Sequence, residues 1–191
     1  MVLMRRDDGG ARRIEGEGVM LRSPELRDFQ EWADLREASR DFLTPWEPTW
    51  GQDELSRGSF RYKLRRYAED ARDDKAYAFF VFREPDGALV GGATLSNVRR
   101  GVAQSCSLGY WAGKDFAGKG YISAAVRAVV RFAFEELDIH RVEAACQPEN
   151  AASRAVLRKA GFDEEGFARA YLRITGAWRD HVLYGRVNDS A

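Results

Sequence analysis

The sequence predicts an α/β fold built on one mixed (α+β) sheet: an antiparallel meander followed by a parallel strand pair that diverges beside a glycine turn. Three observations carry this expectation. First, Ala76–Arg83, Ala88–Asn97 and Gln104–Ala112 are strand-like runs joined by the short turns Pro85-Asp86-Gly87 and Arg99-Arg100-Gly101, which makes them antiparallel neighbours. Second, the glycine-rich turn Gly113–Gly120 opens a long apolar helix over about Tyr121–Leu137. Ile122, Val126, Val129, Ala133 and Leu137 recur there at helical spacing, so one helix face lies on a sheet. Third, Arg141–Gln147 follows that helix, and a crossover connection makes it parallel to Gln104–Ala112.

Taken in order, Met1 to Gly16 mixes Arg, Asp and Gly without the apolar stretch of a secretory signal and is expected to be a flexible tail. A single domain then spans 17–188, and 191 residues are enough to bury a substantial core. Gly18–Arg22 reads as a strand. Ser23-Pro24-Glu25 reads as an N-cap with proline at the first helical position, followed by Leu26, Phe29, Ala33 and Glu37 at helical spacing. Phe42 to Trp50 holds two prolines and three large aromatics without periodicity, the pattern of a packed cover or of part of a ligand site. Asp53 is expected to cap a helix reaching Asp73. Arg57, Arg61 and Arg65 stand four apart on one of its faces, as a solvated face or as a site for an anionic partner. Asn150 caps a short helix stopped by Gly161. Phe162–Ile174 and Trp178–Val187 are two further strands turning at Thr175-Gly176.

Thirty basic and thirty acidic side chains cancel, which argues against a globally basic nucleic-acid binder while leaving a local patch open. Cys106 and Cys146 sit inside strand runs without metal-ligand spacing, as buried free thiols do in a reducing compartment. No run is long enough to span a membrane, and a cytoplasmic protein is expected.

Strand, glycine turn and helix N-terminus together form a site for an anion: first-turn amides lack intrahelical partners, and the helix dipole favours negative charge there. Gly113 to Gly120 nearly spells a nucleotide-triphosphate loop, but Gly120 stands where the magnesium-binding hydroxyl belongs. A dinucleotide fingerprint fits worse, because Ser123 replaces its third glycine. In isolation so short a turn is read by default as a plain connection between strand and helix.

Several segments, taken together, resemble the GNAT N-acetyltransferases, and more narrowly the RimJ/RimL ribosomal-protein-alanine type. They are Gly109-Tyr110-Trp111-Ala112, Ala117-Gly118-Lys119-Gly120-Tyr121-Ile122, Gln147-Pro148-Glu149-Asn150-Ala151-Ala152-Ser153 and Lys159-Ala160-Gly161-Phe162. Phe42–Pro48, Ser96–Gly101, Ile139–Arg141 and Trp178–Val182 extend the likeness over nearly all of 18–187. The resemblance implies acetyl transfer from acetyl-CoA to an amine, most specifically the N-terminal alanine of a small-subunit ribosomal protein. It implies a cofactor cleft where the parallel strands splay, with the CoA pyrophosphate on the amides of Gly118, Lys119, Gly120, Tyr121, Ile122 and Ser123. It also implies that the pantetheine pairs with backbone at Tyr110, Trp111 and Ala112, and that Asn150 bonds pantetheine or a water. Neither a metal, a membrane nor direct nucleic-acid binding is implied. The sequence departs from the wider family at Ala117, at Ile122, where a smaller residue would let the backbone come closer, and at Leu157, which takes the place of a frequent tyrosine general acid.

Transfer needs a neutral amine, and a peptide α-amine with a pKa of about 7.7–8.0 loses its proton far more readily than a lysine at about 10.4, so a modest base or a water relay suffices. Backbone N–H groups at Trp111–Ala112 are expected to stabilise the oxyanion. The resemblance implies Ser153 as proton donor to the departing thiolate, although a serine one turn past Asn150 also serves as a plain cap. Glu47, in the aromatic loop, is the expected base, with Asp180 and His181 as runners-up and His140 structural. The competing functions are a small-molecule acetyltransferase and a non-catalytic acyl-CoA-binding module.

Overall fold

The computed structural model describes residues 13–84 and 86–189. Its strands are β1 (Arg13–Gly16), β2 (Val19–Arg22), β3 (Tyr77–Arg83), β4 (Leu89–Arg99), β5 (Ser105–Ala112), β6 (Arg141–Cys146), β7 (Asp163–Ile174) and β8 (Ala177–Val187). They form one sheet in the order β1-β2-β3-β4-β5-β6-β8-β7, in which only β5 and β6 run parallel. The helices are α1 (Phe29–Ala38), the single turn α2 (Arg40–Leu43), α3 (Arg57–Arg72), α4 (Tyr121–Glu135) and α5 (Ala151–Lys159).

The expected meander and parallel crossover are therefore present, and the differences are local. Arg13–Gly16, assigned above to the flexible tail, pairs with Val19–Arg22 as a hairpin, because Ile14 alternates into the core beside Leu21. The first helix is not capped at Ser23. Glu25 and Asp28 form a reciprocal capping box ahead of a 3₁₀ turn, and Arg22 forks onto the Asp28 carboxylate at 2.8 and 2.5 Å. Helix α3 starts at Ser56 rather than Asp53, since the Ser56 hydroxyl accepts the Ser59 amide. Within the aromatic stretch, α2 and a 3₁₀ turn over Thr44–Trp46 replace the expected irregular loop.

Strand β3 explains the layering. Its run Tyr-Ala-Phe-Phe-Val-Phe is buried on both faces, as befits a strand covered on each side. Tyr77, Phe79 and Val81 face α4, where Phe132 meets Tyr77 and Phe79 edge-on at 5.9 and 5.4 Å. Phe80 and Phe82 face α1 and α3, where Trp32 and Phe60 stack at 4.7 Å. The two cores thus lie on opposite faces of one sheet.

Truncating Phe132 to Ala removes a ring shared by two edge-on contacts and should cost about 3–5 kcal/mol, read as a lower urea midpoint at unchanged slope. A pH effect also follows. Burial, with the Glu143 carboxylate adding to it, pushes the Cys106 thiol up to about 12. The unfolded chain therefore releases this proton first, near pH 8.5, so the stability present below that pH is lost as pH climbs toward about 12. Between about pH 9 and 11 the stability of Cys106→Ala should fall less steeply than wild type, by up to about 1.4 kcal/mol per pH unit; equal slopes in urea titrations would refute this.

Candidate active site

Strand β5 keeps its partner β4 as far as Ala112, and β6 keeps β8 as far as Cys146. Toward each other, β5 and β6 pair only over Ser105–Ser107 and Arg141–Glu143. Beyond that point the two strands part and leave a gap in the middle of the sheet. The Gly113 amide donates to Val90 on β4 at 2.9 Å, so alternation turns the Trp111 backbone toward β4 and leaves those of Tyr110 and Ala112 facing the gap. This narrows the expected pair of oxyanion donors at Trp111–Ala112 to the Ala112 amide.

At the mouth of the gap, Gly118 and Gly120 adopt φ of +75° and +90°, and Gly120 is the N-cap of α4. A Cβ at either glycine would meet nothing within 4 Å, so it is the left-handed backbone that demands glycine here, and the space above the turn stays open. The first bond of α4 runs from the Ala124 amide to Gly120, which leaves the amides of Tyr121, Ile122 and Ser123 without helical partners. The Ile122 side chain does not crowd the turn as its bulk suggested, because its Cδ1 lies against Gly91 in the sheet. Ser123 is buried, so the group it offers at the turn is its backbone amide rather than an exposed side chain. Lys119 holds its charge 6.0 Å from the Phe116 ring, and Arg83 stands 5.3 Å from the same ring with its guanidinium paired to Asp86. Orphan amides, open glycines and a nearby cation fit a diphosphate.

On the α4–α5 face, Asn150 caps α5 by accepting the Ser153 amide at 2.9 Å. The Ser153 hydroxyl in turn lies 2.8 Å from the Tyr110 hydroxyl, which also reaches the Ser153 carbonyl at 3.1 Å. Burial raises the Tyr110 phenol above its ordinary value, opposed by the Ser153 hydrogen bond. Burial likewise raises the neighbouring Cys146 thiol, against a hydrogen bond from Ser153. Leu157 is wholly buried in the same core.

On the opposite face, Glu47 is gripped by Arg36, with contacts of 3.2 and 2.5 Å, and by the Trp50 indole at 2.7 Å. The Arg36 guanidinium stands over the Trp50 ring at 4.5 Å and the Trp111 ring at 5.0 Å. Three of about four carboxylate acceptor sites are thereby used, and one remains. The runners-up serve elsewhere. Asp180 accepts the Ala170 amide at 2.7 Å and pins a bulge in β7, and His181 is buried with Nδ1 3.0 Å from the Arg179 carbonyl. His140 is exposed, and its backbone ties the start of β6 to Gln104 and Asn188. Two participants were missed from the sequence, the Tyr110 hydroxyl and Arg36. Alternation along β5 was available as a signal for the first; nothing local distinguished Arg36 from neighbouring arginines such as Arg27 and Arg40.

A gapped parallel pair with an amide-lined glycine turn at its mouth defines an acyl-CoA-dependent transferase. The Acetyltransferase (GNAT) domain matches residues 19–163, and the chain belongs to that family. It is an acetyltransferase whose cosubstrate is acetyl-CoA. Among its relatives is the [Ribosomal protein uS5]-alanine N-acetyltransferase of Escherichia coli (strain K12), 34% identical over 171 residues, covering 90% of this chain and 88% of that protein. Mycobacterium smegmatis RimJ in complex with CoA-disulfide superposes with a TM-score of 0.86 at 34% identity, over 94% of this chain and 87% of that one. The ribosomal-protein-S5-alanine acetyltransferase of Vibrio fischeri does so with a TM-score of 0.86 at 30% identity, over 93% and 97%.

Because Arg36 and Glu47 are mostly buried, removing one strands the other. Arg36→Ala should cost about 2 kcal/mol in urea denaturation, and Arg36→Ala with Glu47→Ala should cost less than the sum of the single changes. Additive losses would show that the pair is uncoupled.

Proposed function

We propose that this enzyme acetylates the N-terminal α-amine of a ribosomal protein, the N-terminal alanine of a small-subunit protein in particular, and that it does so in the cytoplasm. The observation that carries the catalytic reading is the placement of two polar groups on opposite faces of the β5–β6 gap: Ser153 with Tyr110 on one side, and Glu47 with Arg36 on the other. The choice of acceptor is supported by relatives named for acting on uS5 and S5 alanine. Among the described residues no helix is long and apolar enough to cross a membrane.

In this reading the amides of 118–123 and the backbone facing the gap at Tyr110 and Ala112 hold acetyl-CoA, Trp111 contributes its ring to the acceptor side, and the Asn150 side-chain amide reaches the pantetheine or a water. The acetyl group leaves sulfur for nitrogen, the amine gives up one proton and the thiolate gains one. Ser153, oriented by Tyr110, supplies the thiolate proton. Glu47, fixed by Arg36, takes the amine proton directly or through water on its remaining acceptor site. An α-amine gives up its proton readily enough that a carboxylate acting through water suffices.

Thiol release should be observed with acetyl-CoA and a peptide beginning with the small-subunit protein's N-terminal alanine. An Nα-blocked copy should be inert, and free polyamines and aminoglycosides poor. A preference for small amines would overturn the acceptor, and binding without turnover on any amine would overturn the enzyme reading. Ser153→Ala should lower kcat about 100-fold while acetyl-CoA still binds, and Glu47→Gln should do the same. Gly120→Val, placing a β-branched side chain at φ +90°, should raise the KM for acetyl-CoA far more than it lowers kcat.

A further inference from the structure

The β7–β8 hairpin is unlike the rest of the surface. From Gly166 to Arg179 it carries three arginines, with Asp180 the next residue along, in a chain whose thirty basic and thirty acidic groups balance as a whole. Over the same stretch Phe167, Tyr171, Leu172 and Trp178 are exposed, Trp178 by 66%. The hairpin ends the sheet, so among the described residues β7 has no strand beyond it. Register sets Arg173 opposite Trp178 and Leu172 opposite Arg179, so successive pairs present a cation beside an apolar group on alternate faces of the ribbon. The bulge at 168–172, with Ala170 at φ +46° and held by Asp180, interrupts the regular edge and disfavours simple addition of another strand. Among the described residues Arg169 and Arg179 have no carboxylate partner, while Arg173 bonds the Gly176 carbonyl at 3.1 Å.

We propose that this hairpin docks single-stranded RNA. Three cations against the one carboxylate of Asp180, itself held by the Ala170 amide, favour a polyanion, and exposed aromatic rings select one with flat faces to stack on; a single RNA strand alternates phosphate and base in that way. An acidic peptide satisfies the charge but leaves the rings uncovered. The hairpin turn is also tied to the site, since the Thr175 amide donates to the Glu47 carbonyl at 3.3 Å, so RNA held here lies beside the acceptor entrance. Only the source of that RNA, the ribosome, rests on the acceptor reading above.

The test is fluorescence anisotropy of the full-length enzyme with a labelled single-stranded 12-mer RNA at increasing salt. Binding is expected at low salt, with log K falling against log salt at a slope of about −2 for three phosphate contacts. Arg169→Glu with Arg179→Glu should weaken binding at least tenfold and flatten the slope. Trp178→Ala should weaken it several-fold at an unchanged slope, because stacking releases no counterions. All variants should acetylate free peptide at the wild-type rate, so RNA binding without peptide turnover would sink the acceptor reading alone. The proposal is overturned by absence of RNA binding at low salt, by variants that bind like wild type, or by polyglutamate or anionic phosphatidylserine vesicles competing as well as RNA. It is equally overturned if the double variant merely turns a dimer into a monomer and RNA affinity does not change.

Discussion

The structure depends on the incomplete pairing of β5 with β6. A parallel pair in mid-sheet ordinarily continues for the length of its strands, and here it lasts three residues. Because β4 holds β5 and β8 holds β6 beyond that point, the strands separate without unravelling. The backbone left facing the gap at Tyr110 and Ala112 is therefore rigid and unpaired at once, which is what a ligand that hydrogen-bonds as an extra strand requires. Successive side chains on one strand point to opposite faces, so Tyr110 joins the core beneath α4 and α5 while Trp111 joins the one beneath α1 and α3. One peptide bond thus separates the residue beside Ser153 from the residue beside Arg36, and the two halves of the chemistry meet through the sheet.

Three long-range hydrogen bonds keep the surrounding segments in place. The Lys114 amide donates to the Ser39 hydroxyl at 2.9 Å and fastens the glycine turn to the first helical layer. The Gln147 side chain donates to the Pro45 carbonyl at 3.0 Å, and the Thr175 amide to the Glu47 carbonyl, so the aromatic segment is anchored to the end of β6 and to the last hairpin. These bonds, with the Arg36 fork, convert a stretch that has no periodicity into a fixed wall. Most other ion pairs lie on the surface, where solvent screening leaves each worth little. The Arg36–Glu47 pair differs because both side chains are largely withdrawn from water and each would be costly alone.

What the sequence revealed follows from how local each signal is. Strand alternation, the 3.6-residue stripe of α4 and the glycine turn are encoded within a few residues, and strands β3 to β6, α4 and α5 lie within two residues of where those signals place them. Caps were less legible: Ser23, followed by proline, has the composition of a cap, but the Arg22–Asp28 fork and the Glu25–Asp28 box hold the chain differently. Strand β1 was lost in a charged tail because a four-residue strand has only Ile14 to bury, while its partner β2 was read correctly. At the site, the glycines and Asn150 announce themselves by residue type. The Tyr110–Ser153 contact spans forty-three residues and Arg36–Glu47 depends on how α1 is rotated, and neither is written in any short window.

The departure at position 157 gains a physical meaning from this arrangement. Where many family members carry a tyrosine general acid, this chain has a leucine that fills the core with Ala160 and Phe162. Restoring a phenol there would bury its hydroxyl among apolar groups unless a partner were added. The phenol at the gap comes from β5 instead. Burial keeps Tyr110 in its neutral form far above physiological pH, so its hydroxyl keeps a proton to donate to the Ser153 hydroxyl, which leaves the serine's own proton free. A serine hydroxyl alone is a weak acid, whereas one held in a fixed orientation beside an anionic sulfur needs only to pass its proton a short way and be resupplied. The Asn150 cap fixes the first turn of α5 and the Tyr110 contact fixes the rotamer within that turn, so the hydroxyl is held in one orientation, as the proposed proton transfer needs.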